Sequence, residues 1–147
     1  AMIIQKTRHH QFKATTLLNF QTKKDNEQAG LILYRTANGY YSLLKDKSGI
    51  ALVKKHLEKK ETIEHIPYNK QEVFLSVAVN GTEIQFSFGE TQGHMTNIGG
   101  IQNVAPLSDN KFNKFNGTGV GVYATSNGKQ SRNKALYDWF EYISDKN

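Results

Sequence analysis

The chain contains no cysteine, so neither a disulfide framework nor a thiolate metal site is open to it. That absence suits either redox compartment and locates nothing. No stretch approaches the ~20 apolar residues of a membrane span, so no membrane partner is expected. The opening Ala1-Met2-Ile3-Ile4 lacks a charged segment followed by an apolar one, so no signal peptide is read here, and the compartment stays unknown. Ala1 before Met2 reads as an expression remnant. Helix signals are also missing. His56 to Glu64 is rich in Lys and Glu but has no capping residue and no sustained apolar stripe. Internal repeats, low-complexity tracts and interdomain linkers are absent.

What is present is aromatic and basic. The 147 residues include 8 Phe and 7 Tyr, enough rings to supply much of one core without a covalent staple. The whole chain, 1–147, is read as one domain. The formal net charge of +6 invites an anionic partner. However, the lysines are scattered: Lys23-Lys24, Lys45 and Lys47, Lys54-Lys55, Lys59-Lys60, Lys129 and Lys134. Most lie in or beside turns, so a solvated basic surface is expected and no nucleic-acid partner.

Alternation with period two dominates. From Gln11 to Phe20, the residues Phe12, Ala14, Thr16, Leu18 and Phe20 share one face. Val73, Leu75, Val77 and Val79 do the same, followed after Asn80-Gly81 by Ile84, Phe86 and Phe88. Further strands are read at 29–35, 40–45, 50–55, 61–66, 118–125 and 135–143. Turns separate them at Thr36-Ala37-Asn38-Gly39 and Asp46-Lys47-Ser48-Gly49; Asn-Gly is read as the residue pair tolerating the positive φ of a tight hairpin. Eight to eleven short strands with regular turns specify an all-β, antiparallel sandwich or barrel.

Ordered segments then point to a family. His9-His10-Gln11-Phe12-Lys13-Ala14-Thr15-Thr16, Asn26-Glu27-Gln28-Ala29-Gly30-Leu31-Ile32-Leu33-Tyr34 and Asn38-Gly39-Tyr40-Tyr41 come first. Gly121-Val122-Tyr123-Ala124-Thr125-Ser126-Asn127-Gly128 and Ala135-Leu136-Tyr137-Asp138-Trp139-Phe140-Glu141-Tyr142 follow. In order and spacing, from about residue 7 to residue 143, the chain resembles the C-terminal accessory domain of family 43 glycoside hydrolases, the β-xylosidase and α-L-arabinofuranosidase group. The resemblance implies a two-sheet antiparallel concanavalin A-like β-sandwich, or jelly roll. It further implies a catalytic propeller domain as partner, in the same or another chain, on which the sandwich packs and whose substrate pocket it helps shape. Two departures stand out: Met95 where the family often has tryptophan before Ile98-Gly99-Gly100, and Gly119 where it commonly has a bulky side chain.

The chemistry-bearing residues fit a non-catalytic role. Glycoside hydrolysis uses two carboxylates about 5–5.5 Å or about 6.5–9.5 Å apart. The 13 acids lie mostly in loops, and no Glu-x-Asp-x-Glu run aligns them on a strand. Asp138 and Glu141, three apart on a strand, face opposite ways unless a bulge intervenes. Asp138 is a candidate ligand for a structural calcium, as acids on the last strand are in related sandwiches; the alternative is satisfaction by backbone N–H groups or Arg132. No other cofactor is expected. The five histidines show no zinc spacing, and no Gly-x-Ser-x-Gly elbow supports a serine triad.

Sugar binding is the other open function, as a free-standing carbohydrate-binding, lectin-like module for xylo- or arabino-oligosaccharides from hemicellulose. Sugar rings stack on aromatic faces. Tyr40, Tyr41 and Trp139 are the candidates, and since Tyr40 and Tyr41 face opposite sides of a strand, at most one belongs to the core.

Overall fold

A computed structural model describes residues 2–6, 11–20, 27–107, 119–125 and 136–144. Eleven strands run in chain order: β1 (Met2–Lys6), β2 (Gln11–Asn19), β3 (Gln28–Thr36), β4 (Gly39–Lys45), β5 (Gly49–His56), β6 (Lys59–Pro67), β7 (Glu72–Asn80), β8 (Glu83–Thr91), β9 (His94–Asn103), β10 (Gly119–Thr125) and β11 (Leu136–Ser144). Among the described residues the one helical piece is a 3-10 turn over Ala105–Leu107. One sheet has six strands in the order β1-β10-β3-β4-β5-β6, and the other five in the order β11-β2-β7-β8-β9. All pairings are antiparallel. This is the expected antiparallel sandwich. Two strands went unread in the sequence: β1, too short to alternate, and β9, whose polar residues and paired glycines hide its period.

The alternation becomes the core. Phe12, Ala14 and Leu18 of β2, Val73 to Val79 at alternate places in β7, and Ile84, Phe86 and Phe88 of β8 are buried on one inner face. Ala29, Leu31 and Leu33 of β3, Tyr41 and Leu43 of β4, and Ile50 and Leu52 of β5 answer them from the other. Tyr41 and Phe86 meet across the sandwich with ring centroids 5.6 Å apart. Val104 and Leu107 add to the same core from the 3-10 turn.

Three expectations need correction. Lys45 is not part of the solvated surface: it is 5% exposed, because its place in β4 is the inward one, between Ala29 and Ile50. Burial lowers its pKa, against the raising effect of the Asp46 carboxylate. The Asn38-Gly39 hairpin exists, but not through a positive φ at Gly39. Gly39 already belongs to β4, and a Cβ there would lie 2.0 Å from the Pro106 carbonyl oxygen, so the glycine admits the 3-10 turn. Finally, β11 carries a bulge: Tyr137 pairs with Leu18 and Trp139 with Leu17, leaving Asp138 as the extra residue. The simple parity argument for Asp138 and Glu141 therefore does not apply.

Of the described residues with left-handed backbone, Leu57, Gly81, Gly99 and Gly100, two are of opposite merit. Gly99, at φ 80°, sits where a Cβ would come 2.3 Å from Leu52 Cδ2 in the core. Leu57, in the β5–β6 turn, has φ 60° although its side chain is 65% exposed. A leucine there carries about 1–2 kcal/mol of backbone strain that burial within this domain does not offset. Chemical denaturation should therefore show Gly99→Ala destabilised by about 2 kcal/mol or more, and Leu57→Gly stabilised by about 0.5–1 kcal/mol. Equal effects of the same sign would contradict the assignment.

Candidate functional site

Inward and outward places alternate along β3, β4 and β5, so a core at Leu33, Tyr41 and Leu43 fixes what the opposite face shows. Tyr34 of β3 pairs with Tyr40 of β4, Tyr40 with Lys55 of β5, and Lys55 with Lys60 of β6. The row crosses four neighbouring strands on the outer face of the six-stranded sheet. Tyr34 and Tyr40 are half-buried and stack, with ring centroids 6.1 Å apart and planes inclined at 25°. The next outward row holds Ile32, Ser42 and Val53, all buried. Tyr123 of β10 reaches across to Ser42, forming a side-chain hydrogen bond. Desolvation pushes its hydroxyl up to about 12, partly countered by that bond.

The three sugar-binding candidates separate here. Tyr41 is a core residue, fully buried, and is corrected as a platform. Its hydroxyl donates to the Asn103 carbonyl oxygen at 2.8 Å, tying β4 to the end of β9. Burial raises its pKa above the ordinary tyrosine value. Tyr40 takes the outward place. Trp139 is fixed only by its backbone register opposite Leu17; its side chain and that of Asp138, the calcium candidate, lie outside what is described, as does Arg132.

The outer face of the five-stranded sheet differs. Leu17 pairs with Phe74, and Phe74 with Gly89, where a Cβ would lie 3.1 Å from Met95 Sδ. Leu17, Phe74 and Met95 are all half-buried, giving an apolar line across β2, β7 and β9. The adjoining row is polar: Thr15 and Ser76 are buried and bonded hydroxyl to hydroxyl at 2.9 Å.

One cluster escaped the sequence reading. Asp46 Oδ1 accepts from Ser48 N, Ser48 Oγ and Gly49 N, each at 2.9 Å, closing the β4–β5 turn. His65 of β6 approaches with Nε2 2.9 Å from Ser48 Oγ and 3.6 Å from Asp46 Oδ1. The turn was legible from Asp-Lys-Ser-Gly, but His65 arrives through β5–β6 register. The three residue types are those of a nucleophile triad, but the wiring is not. One ring nitrogen faces both serine and aspartate, and among the described residues no carboxylate orients the far side of the imidazole. Among the described residues no group of three or more His, Asp or Glu could hold a metal ion.

This geometry defines an antiparallel two-sheet sandwich with outer faces of different composition. The family described as the β-xylosidase C-terminal concanavalin A-like domain matches residues 1–143, and the chain belongs to it. As that description has it, the family is a C-terminal domain of β-xylosidases. A non-reducing-end α-L-arabinofuranosidase, BoGH43B, from Bacteroides ovatus is 31% identical over 135 residues, covering 88% of this chain and 25% of the relative. A xylosidase/arabinosidase from Butyrivibrio fibrisolvens is 28% identical over 144 residues, 94% of this chain and 27% of that one. The crystal structure of the BlXynB protein of Bacillus licheniformis superposes with a TM-score of 0.86 at 26% identity, over 99% of this chain and 30% of that one. The chain thus spans between a quarter and a third of the length of these three relatives.

The buried hydroxyls generate an alkaline signature. Tyr68, desolvated and near Glu90 and Glu72, is also pushed up to about 12, as Tyr123 is. An unfolded tyrosine ionises near 10, so the folded state holds these protons more tightly. The resulting stability is fully present below pH 10 and is lost as pH rises through about 12. Denaturation midpoints should fall across that window, with a shallower fall in Tyr123→Phe. A pH-independent midpoint there would contradict the burial of these hydroxyls.

Proposed function

We propose that this domain is the non-catalytic accessory unit of a family 43 enzyme acting on xylose- or arabinose-containing hemicellulose. It packs on the catalytic propeller and helps to shape its substrate pocket. The observation that carries this reading is the match of almost the whole chain to only about a quarter of enzymes named as an arabinofuranosidase and a xylosidase/arabinosidase, 25% and 27% of their lengths. The half-buried Leu17–Phe74–Met95 line on an outer sheet face is the surface we assign to the contact with the propeller, because its outward places are apolar. Gly119, opposite Tyr34 at the start of β10, brings no side chain to a pocket rim.

The test is association in trans between the chain and the separately purified catalytic unit of its parent polypeptide, followed by calorimetry. Phe74→Lys should weaken binding by about 2 kcal/mol, by placing an unpaired charge in a desolvated contact, while the circular dichroism stays unchanged. Unaltered binding by Phe74→Lys, or no association by the unmodified chain, would contradict the reading.

A further inference from the structure

We infer that the outer face of the six-stranded sheet binds a sugar chain bearing a carboxylate, a uronic-acid-containing oligosaccharide, with Tyr40 and Tyr34 as the stacking surface and Lys55 and Lys60 as the charge partners. The inference concerns a different face from the docking line. It rests on the proposed function only in its choice of a xylose backbone.

The first argument is placement. The four side chains stand in one cross-strand row, Tyr34–Tyr40–Lys55–Lys60, on adjacent strands. At about 4.8 Å per strand the row runs ~14 Å, long enough for a few sugar rings. An aromatic pair beside a cationic pair is a two-part surface, with ring faces for the apolar face of a pyranose and ammonium groups for an acid substituent.

The second argument is an unexplained cost. Lys55 and Lys60 are directly opposite each other in the ladder, a like-charge pair that destabilises a sheet. Among the described residues neither is paired with a carboxylate. The neighbouring Glu61 pairs instead with Lys59, at 3.8 Å. Among the described residues the Lys55 ammonium reaches only the Glu58 carbonyl oxygen, at 3.4 Å. An anion seated between the two lysines would relieve the repulsion. Tyr123 does not compete for it, because its hydroxyl is bonded to Ser42. Two cations suit one or two carboxylates. They are too few for the run of phosphate contacts on which nucleic-acid affinity depends.

The experiment is a titration of the purified chain, read by amide NMR shifts and calorimetry, with three probes: glucuronic-acid-substituted xylo-oligosaccharide, unsubstituted xylo-oligosaccharide and oligogalacturonate. Saturable shifts on β3, β4 and β5 with either acidic probe, weaker at raised salt, are expected. The double variant Lys55→Gln, Lys60→Gln lies on the surface and should keep its fold while binding about tenfold more weakly. Tyr40→Ala should lose binding altogether. Equal affinity for the unsubstituted sugar, shifts confined to other strands, or no shift with any probe at millimolar concentration would overturn the inference. So would tighter binding of a single-stranded oligonucleotide. Association with the catalytic unit, read separately through Phe74, is indifferent to these outcomes.

Discussion

The structure depends on one seal, the contact between the inner faces of its two sheets. Backbone N–H and C=O groups of an antiparallel sheet are spent mostly on strand neighbours, so the strand ladders do not hold one sheet to the other. Apolar side chains at every second place must do so. Phe86 against Tyr41, and the aliphatic residues around them, supply that contact. Polar ties then work at its margins: the Tyr41 hydroxyl on Asn103, and the Gly99 N–H donated to Glu64 Oε1 at 2.7 Å, each joining one sheet to the other. Lys45 shows how closely the parity is obeyed. It takes an inward place at the end of β4 and is buried there with its pKa lowered.

Once inner places are committed, the outer places are free to specialise, and the two faces diverge. Across the five-stranded sheet the outward row is aliphatic and aromatic, half-buried, beside bonded hydroxyls. Across the six-stranded sheet it is aromatic and cationic. The same alternation that builds the core therefore presents two surfaces of different chemistry, back to back. That arrangement suits a domain with a protein on one side and an anionic saccharide on the other.

Much of this was legible in the sequence where one strand face is uniformly apolar. In β2, β7 and β8 the apolar set has a single parity, so the inner face could be read directly. Strand β4 could not be read that way. Its odd set, Tyr41, Leu43 and Lys45, and its even set, Tyr40, Ser42 and Leu44, each contain a leucine and a tyrosine, and both leucines are buried. Only pairing with β3 and β5 decides which tyrosine is core. Bulges hid the rest. The paired left-handed glycines Gly99 and Gly100 break the period of β9, and the extra residue Asp138 breaks that of β11. Likewise, His65 meets Ser48 and Asp46 through strand register, which leaves no local trace in sequence. The family resemblance over 7–143 matched the whole domain because it used the order of many segments and not the period of any one.

Amide hydrogen exchange, measured on the chain alone and joined to the catalytic unit proposed for it, tests the two-faced account most directly. The account predicts added protection along β2, β7 and β9 around Leu17, Phe74 and Met95, with the Tyr34–Tyr40–Lys55 row unchanged. Protection gained instead on β3, β4 and β5, with none on the five-stranded sheet, would contradict it.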